Sequence, residues 1–578
     1  MRVLGIEGTA HTFAAAVVES DGERVSVLSN VIDMHRPDAG GIHPRVAADH
    51  HAEVAGAVVG RALAEAGVAA RDLDLVAFSR GPGLGPCLRV AATAARAVAL
   101  AASRPVLGVN HCVAHLEIGR AVTPAEDPVL LYASGGNTQV IAYHEGRYRV
   151  FGETLDIGVG NLLDKFARNL GMAFPGGPKV EELAAKAKGD ALVELPYTVM
   201  GMDVAFSGLL TAAAARATDN PVEEVCFSLQ ETAFAMLTEI TERALAHAGK
   251  EEVVLGGGVA CNRRLRRMVD TMCRERGASS WAPENRLCID NGAMIAHLGA
   301  VMWSAGVRQT LAETVVDQRE RTDDVAAPWR RGEIKTGSDA RPGIHRRPED
   351  RKTSGEQPVP SGGSSGLPVS DECRAAGLLP FRGAEATVTA ADFLGRAAVR
   401  KVRSAKTYRH PTLDRRVASD RTRREARFLA LARRAGVRTP LVYDADAAGA
   451  TLVLERVDGV RAKEALRGGA DVGVLREMGH EVARLHRAGL LHGDLTTSNV
   501  VRSGDGIALL DFGLAGYGSE PEEFGTDLHV LLEVLEASHA DVPGAFDAFL
   551  DGYRAGSGPP AAEAALREIV RKGRYRGS

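Results

Sequence analysis

The sequence predicts two folded units of different class on one chain. A duplicated α/β domain occupies residues 1–328 and an α+β domain residues 374–578, joined by a linker over residues 329–373. Three observations carry that division. In the front part short apolar strands alternate with helical periodicity, and a strand ending in a glycine turn opens each of two similar halves. In the rear part a strand pair, a helix, a third strand and a second helix lead into a polar loop. Between them Arg, Pro, Gly, Ser and Glu dominate, including PVPSGGSSGLP, with almost nothing to bury, so disorder is expected there.

Taken in order, residues 3–6, 13–18 and 24–32 read as strands separated by turns at Gly8-Thr9 and Ser20 to Gly22, and residues 52–66 carry helical periodicity. A buried strand over 73–79 runs into RGPGLGP and an Ala-rich helix. The second half repeats the order: a strand over 128–134 ends in SGGNT, a hairpin follows over 139–143 and 148–150, and a strand over 252–255 ends in GGGVACN. Behind the linker, residues 386–389 and 397–402 read as paired strands, 422–435 as a helix, 451–456 as a strand and 471–488 as a helix.

Composition excludes several classes. At 578 residues the chain exceeds one hydrophobic core, and 45% hydrophobic with 25% charged residues is ordinary for globular domains. No secretory leader pattern opens the sequence, and the longest apolar stretch, over 90–109, is broken by Arg96 and Arg104, so a cytoplasmic location is expected. Seven scattered cysteines without a CxxC pair point to a reducing compartment rather than to disulfides or a structural zinc. The net charge of -4 hides an asymmetry: from Arg331 onward 38 Lys/Arg stand against 34 Asp/Glu, so the front is acidic and the rear mildly basic. Fifteen Lys/Arg between Arg396 and Arg438 face only Asp414, Asp420 and Glu425, and the tail adds Arg571, Lys572, Arg574 and Arg576. With Tyr408, His410 and Tyr575 interleaved, a polyanion such as RNA weighs at least as much as a solvated helix face.

His111 and His115 stand four residues apart on a predicted helix and share one face, the spacing a divalent metal wants. Cys112 occupies the place where a zincin protease carries its general base, which disfavours peptide hydrolysis by that route. Further ligands are sought at strand ends, where Tyr132 precedes SGG and Asp290 lies in CIDNGAMIA. Two glycine loops after apolar strands, Ser134 to Thr138 and Gly256 to Gly258, let backbone N–H groups approach phosphate oxygens. Together with FPGGPKVEEL and Asp164-Lys165 they favour a nucleotide cleft.

In the rear part HGDLTTSN is followed by DFG, the paired signature of a kinase site. Asp494 takes the hydroxyl-orienting position, and Asn499 and Asp511 supply oxygen ligands to magnesium. Lys401 neutralises the α- and β-phosphates of ATP, and Glu425 pairs with it from the following helix. Gly383, Ala384, Glu385 and Ala386, in FRGAEATVT, replace the usual glycine-rich ATP loop. No long activation segment follows DFG.

The motifs LGIEGTAHT, GGIHPR, RGPGLGPCLRV, NHCVAHLE, YASGGNT, FPGGP and GGGVACN resemble, in order, those of the universal tRNA threonylcarbamoyltransferase family, the catalytic subunit of the KEOPS complex. That resemblance, reaching to about residue 325, implies an actin/Hsp70-like (ASKHA) fold. It also implies an iron or zinc ion held by His111, His115, Tyr132 and Asp290. Contacts to threonylcarbamoyl-AMP are implied at Tyr132, Ala133, Ser134, Gly135, Gly136, Asp164, Gly177, Glu181 and Asn262. GAEA, KTYRHPTLD, RTRREA and HGDLTTSN resemble the small atypical serine/threonine kinase of the same complex, fused to the transferase in some archaea, and the ending KGRYRGS resembles its tRNA-contacting tail. The expected protein is bifunctional, with tRNA, threonylcarbamoyl-AMP and other KEOPS subunits as partners. A signalling kinase with an actin-like regulatory domain would need an activation segment, and a metalloprotease–kinase fusion an HExxH helix. Neither motif is in the sequence.

Overall fold

The structure is a computed structural model describing residues 1–330 and 381–572, apart from 22–23, 38–40, 145, 190–191, 468–470 and 540. All but the first two residues of the expected linker, and Arg574, Tyr575 and Arg576 of the tail, lie outside the described residues.

Two five-stranded sheets build the front domain, and their orders match strand for strand. In the first, β1 (Arg2–Glu7), β2 (Thr12–Ser20) and β3 (Val25–Met34) form an antiparallel meander, and β4 (Leu75–Gly81) and β5 (Val106–Asn110) extend it in parallel from β1. The second sheet repeats this. Its β6 (Val129–Ala133), β7 (Thr138–His144) and β8 (Arg147–Glu153) are antiparallel, and β11 (Glu252–Gly256) and β12 (Ser279–Trp281) follow in parallel from β6. A two-residue pair, β9 (Val199–Met200) and β10 (Asp203–Val204), lies between them in sequence. The central strands are buried on both faces, as continuous apolar runs such as Val129 to Leu131 dictate. The duplication read from the sequence is therefore a duplication of topology.

Helices α1 (Pro44–Ala66) and α2 (Gly85–Ala102) cover the outer face of the first sheet, and α3 (His111–Val122) leaves the end of β5. Helix α1 begins eight residues earlier than its periodicity suggests, because Pro44 sits in the first turn, where its missing N–H costs nothing. Helices α4 (Val159–Asn169), α5 (Gly176–Ala184), α6 (Val222–Ala248) and α7 (Arg263–Arg276) belong to the second half, and α6 is buried along most of its length. Helix α8 (Gly292–Ser304) follows the second sheet in sequence yet packs on the first. The contact is glycine on glycine: a Cβ on Gly5 would lie 2.2 Å from the Gly292 carbonyl oxygen, and one on Gly292 2.5 Å from the Ala16 nitrogen.

The rear domain opens with an antiparallel sheet in the order β13 (Phe381–Arg382), β14 (Ala386–Phe393), β15 (Arg396–Arg403), β17 (Thr451–Glu455), β16 (Val442–Asp446). Helix α9 (Pro411–Arg434) packs beside it, and a helical lobe follows with α10 (Gly473–Arg487) and α11 (Pro521–Ser538). Helix α9 starts eleven residues before the expected 422, again with proline in its first turn. The added turns are used in packing: Leu413 and Val417 bury against Ala235 of α6.

Candidate active sites

The first site forms where β5 runs into α3. Asn110 caps the helix by accepting from the Val113 N–H at 3.0 Å, which fixes the direction in which the next residues leave the strand. His111 and His115 then stack one turn apart with ring centroids 4.9 Å apart. His111 Nε2 lies 2.9 Å from the Tyr132 hydroxyl and 3.5 Å from Asp290 Oδ1, and His115 Nε2 is 3.4 Å from the same Asp290 oxygen. The four residues expected as ligands thus converge on one point. Burial lowers the His115 imidazole, so it is neutral and able to ligate. Asp290 is half-buried, which would raise its carboxyl, but the two histidines beside it hold it far below the usual range.

Sequence reading missed Glu7. Fully buried at the end of β1, it meets His111 Nδ1 at 3.0 Å and accepts from the Thr9 N–H at 2.7 Å. Burial alone would depress His111, but the Glu7 carboxylate outweighs it and raises the imidazole to about 9. The signal was an acid directly before the Gly8-Thr9 turn, at a strand end in an otherwise apolar run. The carboxylate holds the proton on Nδ1, so a cation displacing the other proton from Nε2 would find the usual outer partner of a metal-bound histidine already in place. Two imidazoles, a carboxylate and a phenol at these spacings suit a divalent cation.

Beside this cluster the two glycine loops form a cradle. Side chains added at Gly135 or Gly136 would meet nothing within 4 Å, so this turn faces open space. Its other side is closely packed: a Cβ on Gly160 would lie 2.6 Å from Gly135 Cα, and one on Gly257, whose φ is 89°, 2.4 Å from the Ala133 carbonyl oxygen. Only glycine allows that approach. Ser134 Oγ bonds the Asn137 carbonyl within the turn. Asp164 accepts from the Gly176 N–H at 2.7 Å and more loosely from Gly177, while burial raises its carboxyl. Glu181 accepts from Arg263, and Asn262 caps α7 with its oxygen while its amide donates to Gln230. Asn262 and Glu181 are thus both tied by hydrogen bonds at the start of α7.

In the rear domain Lys401 Nζ is held between Glu425 Oε1 at 2.8 Å and Asp511 Oδ1 at 2.7 Å. Asn499 donates its amide to the Asp494 carboxylate at 3.1 Å, which ties the two catalytic-loop residues together. Asp511 takes φ 57°, a left-handed conformation that Asp tolerates better than most residues. A second residue escaped the sequence reading: Asp527 of α11, buried, accepts from the backbone of His492 and Gly493, both at 2.8 Å, and from His486. It anchors the catalytic loop, and an acid inside a helix gives no local sign of that role.

Side chains from the front domain enter this second site. Arg243 of α6 reaches Asp494 at 3.3 Å and Glu385 at 3.2 Å, and the Gly201 N–H donates to the Gly493 carbonyl at 2.9 Å. Glu239, one turn before Arg243, accepts from Arg409 at 2.7 Å, Arg421 at 2.8 Å and the Tyr197 hydroxyl at 2.7 Å. Lys406 and Arg276 both pair with Glu242. The basic run is consequently not one solvated or RNA-facing surface. Lys401, Arg403, Arg409 and Arg421 are buried in ion pairs, and Tyr408, 1% exposed, packs in the front domain's core rather than offering a stacking face. Arg415, Arg423, Arg424, Arg427, Arg433 and Arg434 remain exposed on α9. Gly383 and Ala384 turn their carbonyls toward Arg276 and Lys406, while Glu385 is fixed by Arg403, Arg421 and Arg243.

Fold and sites together define a two-enzyme chain, with a duplicated α/β domain holding a metal-type cluster beside a glycine cradle, docked to a kinase-like domain. Comparison with known proteins agrees. The family described as tRNA N6-adenosine threonylcarbamoyltransferase matches residues 25–297, and the RIO domain matches residues 388–525. A protein of Methanothermobacter thermautotrophicus named a probable bifunctional tRNA threonylcarbamoyladenosine biosynthesis protein is 44% identical over 578 residues, covering 100% of both chains. Proteins of the same name from Methanosarcina barkeri and Thermoplasma acidophilum are 46% and 43% identical, covering 95% and 96% of their own lengths and 96% of this chain. The chain belongs to this family of bifunctional tRNA-modification proteins, a threonylcarbamoyltransferase joined to an atypical kinase.

Proposed function

We propose that the front domain transfers the threonylcarbamoyl group of threonylcarbamoyl-AMP to the exocyclic amine of the adenosine next to the anticodon in ANN-decoding tRNAs, and that the rear domain's ATP turnover supports this. The convergence of His111, His115, Tyr132 and Asp290 beside the open Gly135-Gly136 turn carries the reading, because it puts metal-type ligands next to a phosphate cradle. An iron or zinc ion bound there would act as a Lewis acid toward the adenylate. The chain's own groups do the rest. Backbone N–H groups of the cradle receive phosphate oxygens. Glu7 holds the His111 tautomer, and the wall formed by Asp164, Glu181 and Asn262 orients the nucleoside. The amine attacks the carbamoyl carbon, its N–H proton is lost, and AMP departs with the bonding electrons.

ATP with magnesium belongs between Lys401, Asn499 and Asp511. Glu425 fixes the lysine, and the replaced loop, Gly383 to Ala386, lies at the edge of that cleft. Asp494, which would orient an acceptor hydroxyl, is engaged by Arg243 and lines a small enclosed cavity between the domains. That supports ATP turnover coupled to modification over phosphorylation of a protein partner. A cytoplasmic location, other KEOPS subunits as partners, and domain limits of 1–328 and 374–578 complete the proposal. Among the described residues no helix is long and apolar enough to cross a membrane.

The decisive assay supplies threonylcarbamoyl-AMP and an ANN-decoding tRNA and measures the nucleosides by mass spectrometry. Threonylcarbamoyladenosine should form with the wild type and fall at least 100-fold, about 2.7 kcal/mol of barrier, with His115→Ala. Equal product from both proteins would end the reading. Asp494→Ala should leave a single turnover intact but slow multiple turnover by the complex; equal multiple turnover would separate the two activities.

A further inference from the structure

Away from both reacting centres, one cluster of side chains spans the two domains. Asp203 of β10 in the front domain meets His529 and Glu533, one turn apart on α11 of the rear domain. All three are buried, and one ligand atom from each lies within 4.8 Å of the others. We propose that this cluster binds a divalent transition-metal ion, zinc by preference, as a clasp between the two enzymes.

The donor set fits. One imidazole nitrogen and two carboxylate oxygens make the three-ligand shell that zinc accepts, leaving a fourth position for water. With bonds of about 2.0–2.1 Å, tetrahedral donors stand about 3.3 Å apart. His529 Nδ1 and Glu533 Oε1 are already 3.6 Å apart, close to that spacing, and a carboxylate oxygen of Asp203 completes the group within 4.8 Å. The Glu153 N–H donates to Asp203 Oδ1 at 2.8 Å and holds that carboxylate in place, as outer partners of metal ligands do. Asp203 and Glu533 also line the enclosed cavity between the domains, whose volume of about 10 Å³ admits one water, enough for the fourth ligand.

The position matters for the kinase-like site. Helix α11 also carries Asp527, which holds the catalytic loop, and the same cavity touches Asp494 and Thr496. A clasped α11 therefore ties the catalytic loop to the front domain.

The test uses the full-length protein, stripped of metal with a chelator, reloaded with zinc alone, desalted and measured by plasma mass spectrometry. The wild type should retain about two equivalents and the His111→Ala/His115→Ala variant about one, since the two sites share no ligand. Adding His529→Asn and Glu533→Gln to that variant should remove the remaining equivalent, and Asp203→Asn, made in the other domain, should do the same. Cobalt loading of the His111→Ala/His115→Ala variant should give the visible absorption of a tetrahedral site. No zinc in the His111→Ala/His115→Ala variant, or zinc that survives all three substitutions, would overturn the clasp and leave the cluster to its own ion pairs. Because the first-site variant reports on the clasp alone, failure of the proposed transferase chemistry would not produce either result.

Discussion

At the scale of single residues, the first metal cluster is separable from the fold. His111 and His115 face the cleft at the start of α3 and the apolar core lies behind them, so alanine at either should remove the first-site metal without unfolding the domain. Metal analysis beside a thermal melt checks this: occupancy at that site should fall and the melt should stay cooperative. Full occupancy in both variants would dismiss these ligands. Arg243 offers a different experiment. Burial pushes the Asp494 carboxyl up, and the Arg243 guanidinium engaging it at 3.3 Å pulls it part of the way back. Arg243→Ala should therefore raise phosphoryl transfer to a generic acceptor protein several-fold, read with radiolabelled ATP. A fall instead would mean that Arg243 positions the aspartate for catalysis.

At the scale of elements, the contact between α6 and α9 rests on carboxylates buried among arginines. Glu239 is buried, which alone would raise its carboxyl, but Arg421, Arg409 and Arg243 outweigh this and hold it at about 2. A carboxyl depressed on folding contributes stability that is complete above the unfolded value of about 4.3 and is lost as pH falls toward the folded one. The interface should accordingly weaken between about pH 4.5 and 2, followed as domain dissociation in a chain cut at the linker. Glu239→Gln takes one carboxylate from Arg409, Arg421 and Arg243, each of which keeps another, and should cost about 1.5–3 kcal/mol at neutral pH. A variant whose halves associate as tightly as wild type at pH 7 would remove this pair from the interface.

For the whole molecule, the linker and the interface make different demands. Cleavage near Gly362 should leave two folded pieces that still elute together, because Tyr408, Leu413 and the buried ion pairs join them without the covalent link. Separate elution at low salt would show that the linker supplies the association. If the tail contacts tRNA as its resemblance implies, neutralising Arg571, Lys572, Arg574 and Arg576 should reduce the slope of log affinity against log salt by up to about 3–4, since each phosphate contact releases counterions. An unchanged slope would reduce the tail to a solvated charge run.

The duplication was legible because each half announces itself with a strand and a glycine turn, and the two sheets share one order. His111, His115, Asp494 and Asp511 were legible because their spacing is local. Helix starts at Pro44 and Pro411 were not, since periodicity weakens in a first turn that packs against another element. Glu7, Asp527 and Arg243 act on residues 104, 35 and 251 positions away, distances no local pattern reports. The basic run misled for a related reason. Charge spacing cannot distinguish arginines that face water from arginines that neutralise a partner domain's acids.

The glycine contact between Gly5 and Gly292 settles which half of the cleft carries which chemistry. Helix α8 is seated on the first sheet, so Asp290, just before it, is placed beside His111 and His115 by that seat although its neighbours in sequence belong to the second half. Tyr132 and the glycine cradle stand on the second sheet. A jaw opening between the halves would part the His111–Tyr132 contact and leave the other three ligands together. On the proposed reading of the site, nucleotide leaving past the glycine cradle would leave the ion with His111, His115 and Asp290, and the next adenylate would meet a metal already in place.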